Sequence, residues 1–134
     1  MSALLNIQLA LEQTLKDDAA LMSKITGVYD HVPPDANYPY VVIGEATEEP
    51  LNTFAQGGMQ VLAVIRIMSG ALGYNECFDI LKTVNDCLNQ QPLVVDQYET
   101  ISSVYQNAET VVEEPTDARQ VQAIYRIVVQ KVES

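Results

Sequence analysis

Between Val61 and Met68 the chain runs VLAVIRIM, apolar at every position except Arg66. A strand with one face in water alternates apolar and polar residues, whereas a near-continuous apolar run belongs in the middle of a sheet. The run therefore predicts a central strand covered on both sides. One cover follows directly in the chain. Tyr74, Cys77, Phe78, Leu81, Val84 and Leu88 form an apolar stripe at helical spacing, with Asn75, Glu76, Asp79, Lys82 and Asp86 on the other side, so a helix over about 72–90 lays one face on the sheet. Pro92 ends it.

Two long strands close the chain, VVDQYETISSVYQ and RQVQAIYRIVVQKV. Period-two alternation is clearest at Val121, Ala123, Tyr125, Ile127 and Val129. The acidic stretch NAETVVEEPTDA between them is too long for a tight two-residue hairpin. At the other end, Ser2 is placed to cap a helix whose apolar face runs through Leu4, Ile7, Leu11 and Leu15 to Met22. Gly27 stops that helix, VYDHV follows as a short strand or extended arm, and Pro33-Pro34 interrupts regular pairing. YPYVVIGEA resumes as a strand that Pro39 can open but could not occupy centrally. The order helix, strands, helix, strands predicts an α+β fold. Its largely antiparallel sheet is packed by two amphipathic helices in a single domain spanning 1–134.

Charge narrows the classes of partner. Eighteen Asp and Glu against seven Lys and Arg give a net charge of −11, which repels a phosphate backbone and argues against tight nucleic-acid binding. No apolar run approaches the roughly 20 residues that span a bilayer, and the opening MSALLNIQLALEQ lacks the features of an export signal. No membrane association is expected. Cys77 and Cys87 lie ten positions apart in one predicted helix, a separation of roughly 15 Å that rules out a bridge between them. Two free thiols suit synthesis in a reducing cytoplasm.

The only histidine, His31, sits between Asp30 and Asp35 in the proline- and tyrosine-rich stretch Val28 to Glu45. Imidazole and carboxylates are common metal ligands, but a zinc site needs three or four converging ligands, and a surface histidine on an extended arm is the better reading. A paired acid and base drawn from Glu45, Glu48 and Glu49, with or without His31, lacks the fixed separation that such chemistry needs; a solvated acidic loop is preferred. Ser69-Gly70 precedes the second helix without any phosphate-binding glycine pattern. Cys77 falls in the apolar stripe, so it reads as a buried structural thiol and not a nucleophile. No catalytic residue, metal site or cofactor is expected.

Two connections are longer than a compact domain needs, Gly44 to Gly58 and Glu109 to Ala118. The first carries Pro50, Leu51 and Phe54, apolar surface that an interface would bury. The second gathers Glu109, Glu113, Glu114 and Asp117. Those four carboxylates are either a solvated turn or a face aimed at basic partners or at a channel.

Taken in order, ALEQTLKDDAALMSKITGVYDHVPPDANYPYVVIGEATEEPLNT, VLAVIRIMSGALGYNECFDILKTVNDCLN and QAIYRIVVQ cover nearly the whole chain. Together they resemble the tail completion or tail terminator proteins of long-tailed bacteriophages and gene transfer agents. Ile67-Met68 stands before Ser69 where relatives often place an aromatic residue. The resemblance implies a structural virion protein, not an enzyme, at the head-proximal end of the tail. It implies a ring of the chain's own copies, usually six, that caps the tube, with the major tail tube protein on one side and a head completion or stopper protein on the other. DNA would pass through its channel without specific binding. Another neck protein of similar fold, a stopper or adaptor, is the alternative.

Overall fold

The computed structural model describes residues 2–52, 57–113 and 118–132. Its centre is a five-stranded sheet in the order β1-β2-β3-β5-β4. The strands are β1 (Val28–Tyr29), β2 (Tyr40–Leu51), β3 (Gly58–Ser69), β4 (Tyr98–Glu113) and β5 (Ala118–Lys131). The helices are α1 (Leu4–Lys16), α2 (Ala19–Met22) and α3 (Asn75–Leu88). β1 runs parallel to β2 and every other pairing is antiparallel, so the fold is α+β with a largely antiparallel sheet.

The VLAVIRIM run lies in β3, the middle strand, as its composition demands. Its cover is one-sided within the chain. Val61, Ala63, Ile65 and Ile67 are buried against the helices, together with Val121, Ala123, Tyr125, Ile127 and Val129 of β5. The alternate residues Leu62, Val64 and Arg66 are only half-buried. All the helices belong to one layer, with α1 against β1 and β2 and α3 against β3, β4 and β5. The expectation of cover on both faces is thus met on one.

α1 and α2 divide what the apolar spacing presents as a single helix. Asp18 takes an extended conformation and its carboxylate accepts the Leu21 N–H at 2.9 Å, starting a new turn. A short acidic side chain that captures a nearby backbone donor ends one helix and caps the next. In α3 the buried face is Cys77, Ile80, Thr83, Val84 and Leu88. Phe78, expected in that stripe, is instead 46% exposed and stacks on Tyr74, because the helix is rotated to put Ile80 inward.

The larger departure concerns the connections. β2 continues through Glu45, Glu48 and Glu49 to Leu51, and β4 runs on to Glu113, so both stretches expected as long loops are mostly hairpin arms. β1 pairs only with Val41 and Val42 of β2, and β4 has a single neighbour. Outer strands tolerate charge and proline because one edge faces solvent, and that masks them as loops in the sequence.

Candidate functional site

The two hairpins carry the residues expected at an interface, and the strand register sets them apart. Gly58 of β3 lies opposite Leu51 on one side and Gln130 on the other, while Ser69 lies opposite Arg119. The β2–β3 tip and the β4–β5 tip therefore project from opposite ends of the sheet. Eleven residue steps of an extended strand separate those ends by roughly 37 Å. Pro50 pairs with Met59 and is exposed, and Leu51 pairs with Gly58 and is half-buried. At the other end Glu109 is exposed opposite Gln122, and Glu113 pairs with Ala118. Phe54, Glu114 and Asp117 lie outside the described residues. The geometry thus divides the expected interface residues into an apolar end and an acidic end.

The edges of the sheet are unequally protected. Gln90 donates its N–H to the Ser103 carbonyl at 2.6 Å, and Asn89 Oδ1 accepts the Tyr105 N–H at 3.0 Å, so the chain leaving α3 covers β4 there. β4 also departs from regular pairing around Ile101 and Gln106. Bulges of this kind twist an edge away from unwanted pairing.

The carboxylates considered for acid-base work have structural partners. Glu48 accepts the Ala3 N–H at 2.7 Å and the Ser2 hydroxyl at 3.3 Å, tying the start of α1 to β2. Glu45 forms an ion pair with Arg66. Its own backbone N–H, then the Arg66 guanidinium, hold its carboxyl below the usual range. Gly44 makes room for that pair: a Cβ there would lie 2.5 Å from Arg66 Nη1 and 3.0 Å from the Val64 carbonyl oxygen. His31, Asp30 and Asp35 are all exposed. Among the described residues, no three His, Cys, Asp or Glu side chains are grouped to hold a metal ion.

The surroundings of both thiols disfavour the thiolate. Burial, with Glu76 adding to it, pushes Cys77 up to about 11. Burial and the hydrogen bond from Cys87 Sγ to Asp18 at 3.1 Å push Cys87 up to about 12. Tyr125 is fully buried and donates its hydroxyl to Asn85, and burial raises its pKa. Among the described residues no helix is long and apolar enough to cross a membrane.

Hairpin arms thus reach both ends of one sheet, and the carboxylates of Asp18, Glu45 and Glu48 hold parts of the chain together. Residues 10–130 match the family described as Tail completion protein gp17, and the chain belongs to that family. Among solved structures, a chain of the virion of a native gene transfer agent particle is similar with 25% identity and a TM-score of 0.87, over 96% of this chain and 98% of that one. The gp17 protein of bacteriophage SPP1 shares the fold, with 22% identity and a TM-score of 0.55 over 94% of this chain and 88% of that one. No curated protein matches the chain. The role of the protein is structural, in the completion of a virion tail, and a catalytic role is not what the family points to.

Proposed function

We propose that the whole chain, 1–134, acts as one tail-terminator-like domain that assembles into a ring of six copies on the head-proximal end of the tail tube. The ring ends tube growth and offers the surface on which the head is joined. The observation that carries this reading is the family match across 10–130. The likeness to a subunit of an assembled virion, nearly end to end in both chains, supports it. A terminator must meet different partners on its two faces, the major tail tube protein and a head completion or stopper protein. The separation of the Pro50–Leu51 end from the Glu109–Glu113 end across the length of β3 suits that demand. DNA crosses the ring without specific binding, in keeping with a net charge of −11. No cofactor enters this function.

Deletion of the gene tests the proposal. The expected result is DNA-filled heads without tails, together with free tails of uncontrolled length, counted by electron microscopy. Tails of normal length that fail only in joining would favour a stopper or adaptor instead, and normal tails joined to heads would overturn the reading altogether.

A further inference from the structure

The two outer strands of the sheet are each covered along part of their length only. β1 pairs with Val41 and Val42 of β2, and no backbone group among the described residues bonds to the outer edge of β2 beyond them. After the irregularity at Gly44 and Glu45, residues 46–51 of β2 run in unbroken register with β3. On the far side of the sheet, the chain leaving α3 bonds to β4 at Ser103 and Tyr105. Beyond the irregularity at Gln106, residues 107–113 of β4 pair regularly with β5, and no backbone group among the described residues bonds to their outer edge. Each outer strand therefore keeps a regular run of unpaired backbone groups, which is a template for another strand.

The helix layer stops short at both places. Beside the free part of β4, Phe78 and Leu81 of α3 with Ala108, Thr110 and Val121 bound a hollow of about 410 Å³, and Phe78 is exposed. Beside the free part of β2, Leu4, Ile7 and Leu11 of α1 with Ile43 and Ala46 bound one of about 220 Å³, and Leu4 is exposed. A strand that adds to an open edge is held by main-chain hydrogen bonds and selected by hollows that take the side chains beside it. An extended strand is thus the ligand that both places fit.

We propose that each place receives the other in a second copy of this chain, with residues 46–49 of β2 paired antiparallel to residues 107–110 of β4 in the neighbouring copy. Strand direction is the first reason. β2 runs against β3, and β4 runs with β3, so copies standing side by side in one orientation bring the two edges together antiparallel, with all helices on the same side. Register is the second, because a slip of one residue would turn helix-side residues to the other face. With Thr47 opposite Glu109, Ala46 and Glu48 share the helix side with Thr110 and Ala108, and Glu49 lies by Asn107. A shift of two residues either sets Glu49 against Glu109 or drives β2 onto Tyr105, whose N–H is taken by Asn89. The other acids of this part of β2 have partners of their own, Glu45 on Arg66 and Glu48 on the Ala3 N–H.

Stagger is the third reason. Thr47 stands level with Leu62 of its own β3, while Glu109 stands level, through Gln122, with Arg66. The neighbour is therefore displaced by the four residues from Leu62 to Arg66 for every four long strands. One residue per strand is the stagger with which an eight-stranded barrel closes at a tilt of about 36°, and a ring of copies joined through their strands closes only with such a stagger. The contact joins unlike edges, so it repeats head to tail instead of closing as a pair. The inference rests on the reading that copies assemble into a ring.

Thr47→Cys with Glu109→Cys in one chain replaces two exposed side chains, so circular dichroism and melting should match the parent. After assembly on purified tail tubes and mild oxidation, a denaturing gel without reductant should show a ladder of linked copies ending at the ring. The parent chain, with its own Cys77 and Cys87, serves as the blank. Glu49→Cys with Glu109→Cys, two residues out of register, should give less than a tenth of the linked product. Phe78→Asp, in the wall of the larger hollow, should keep the parent's circular dichroism and raise at least tenfold the concentration needed to assemble. Rings that form without the Thr47–Glu109 link, or with the out-of-register link in equal yield, overturn the strand pairing and leave the ring standing. Linked product that stops at two copies gives the edges to a twofold pair and likewise overturns it. A parent chain that stays monomeric even on tubes overturns the ring reading itself.

Discussion

Asp18 shows how much of this fold is held by single polar groups. Its carboxylate caps α2 through the Leu21 N–H and accepts the Cys87 thiol, linking the first helical segment to α3. Those two hydrogen bonds, the backbone one the larger, lower its pKa below 3.8. A carboxyl whose pKa is depressed on folding stabilises the fold above its unfolded value and loses that contribution as the pH falls through the folded one. Asp18→Ala should therefore destabilise the protein by about 1 kcal/mol at neutral pH, as loss of a helix cap does. The deficit should shrink below about pH 4, where the parent chain is itself being protonated. Urea midpoints of both chains at pH 7 and pH 3 measure this, and an equal deficit at both would show that the charge is not what matters.

The same logic joins α1 to the sheet. Glu48 of β2 accepts the Ala3 N–H and the Ser2 hydroxyl, and a carboxylate there satisfies an orphan donor while facing the positive end of the helix. Glu48→Ala should cost about 1 kcal/mol and lower the melting temperature by a few degrees; Glu48→Gln, which still accepts hydrogen bonds, should cost less. Equal losses in the two would remove the electrostatic part of the account. This tether also marks the limit of what the sequence discloses. The apolar periodicity of α1, α3, β3 and β5 is visible because each buries one regular face. Glu45, Glu48 and Glu49 look like a solvated loop because their part of β2 runs beyond the short β1, which pairs only with Val41 and Val42, and only pairing with β3 reveals it as strand. The break at Asp17-Asp18 was hidden for a different reason: Asp18 interrupts the backbone while the apolar spacing runs on through Leu21. As for the interface, residue type pointed to Pro50, Leu51 and Glu109, but nothing local placed them at opposite ends of one sheet.

For the molecule as a whole, polarity from end to end is the property that the proposed ring would use. One end carries Pro50 and Leu51, and the other carries Glu109 and Glu113 across the length of β3. In a ring of six, the acidic ends would stand in a circle, and like charges so repeated are tolerable only in water or against basic groups of a partner. If the acidic end docks on such a partner, Glu109→Lys with Glu113→Lys should leave the fold and the ring intact while reducing head joining. The effect should depend on ionic strength, because exposed charges are screened over roughly 8–10 Å at ordinary salt. The parent chain should join heads progressively less well as salt is raised, and the double variant should show a shallower dependence. Joining assays with purified heads and capped tails across a salt series decide the matter. Unchanged joining by the double variant at every salt concentration would mean that the carboxylates serve only to keep the hairpin solvated.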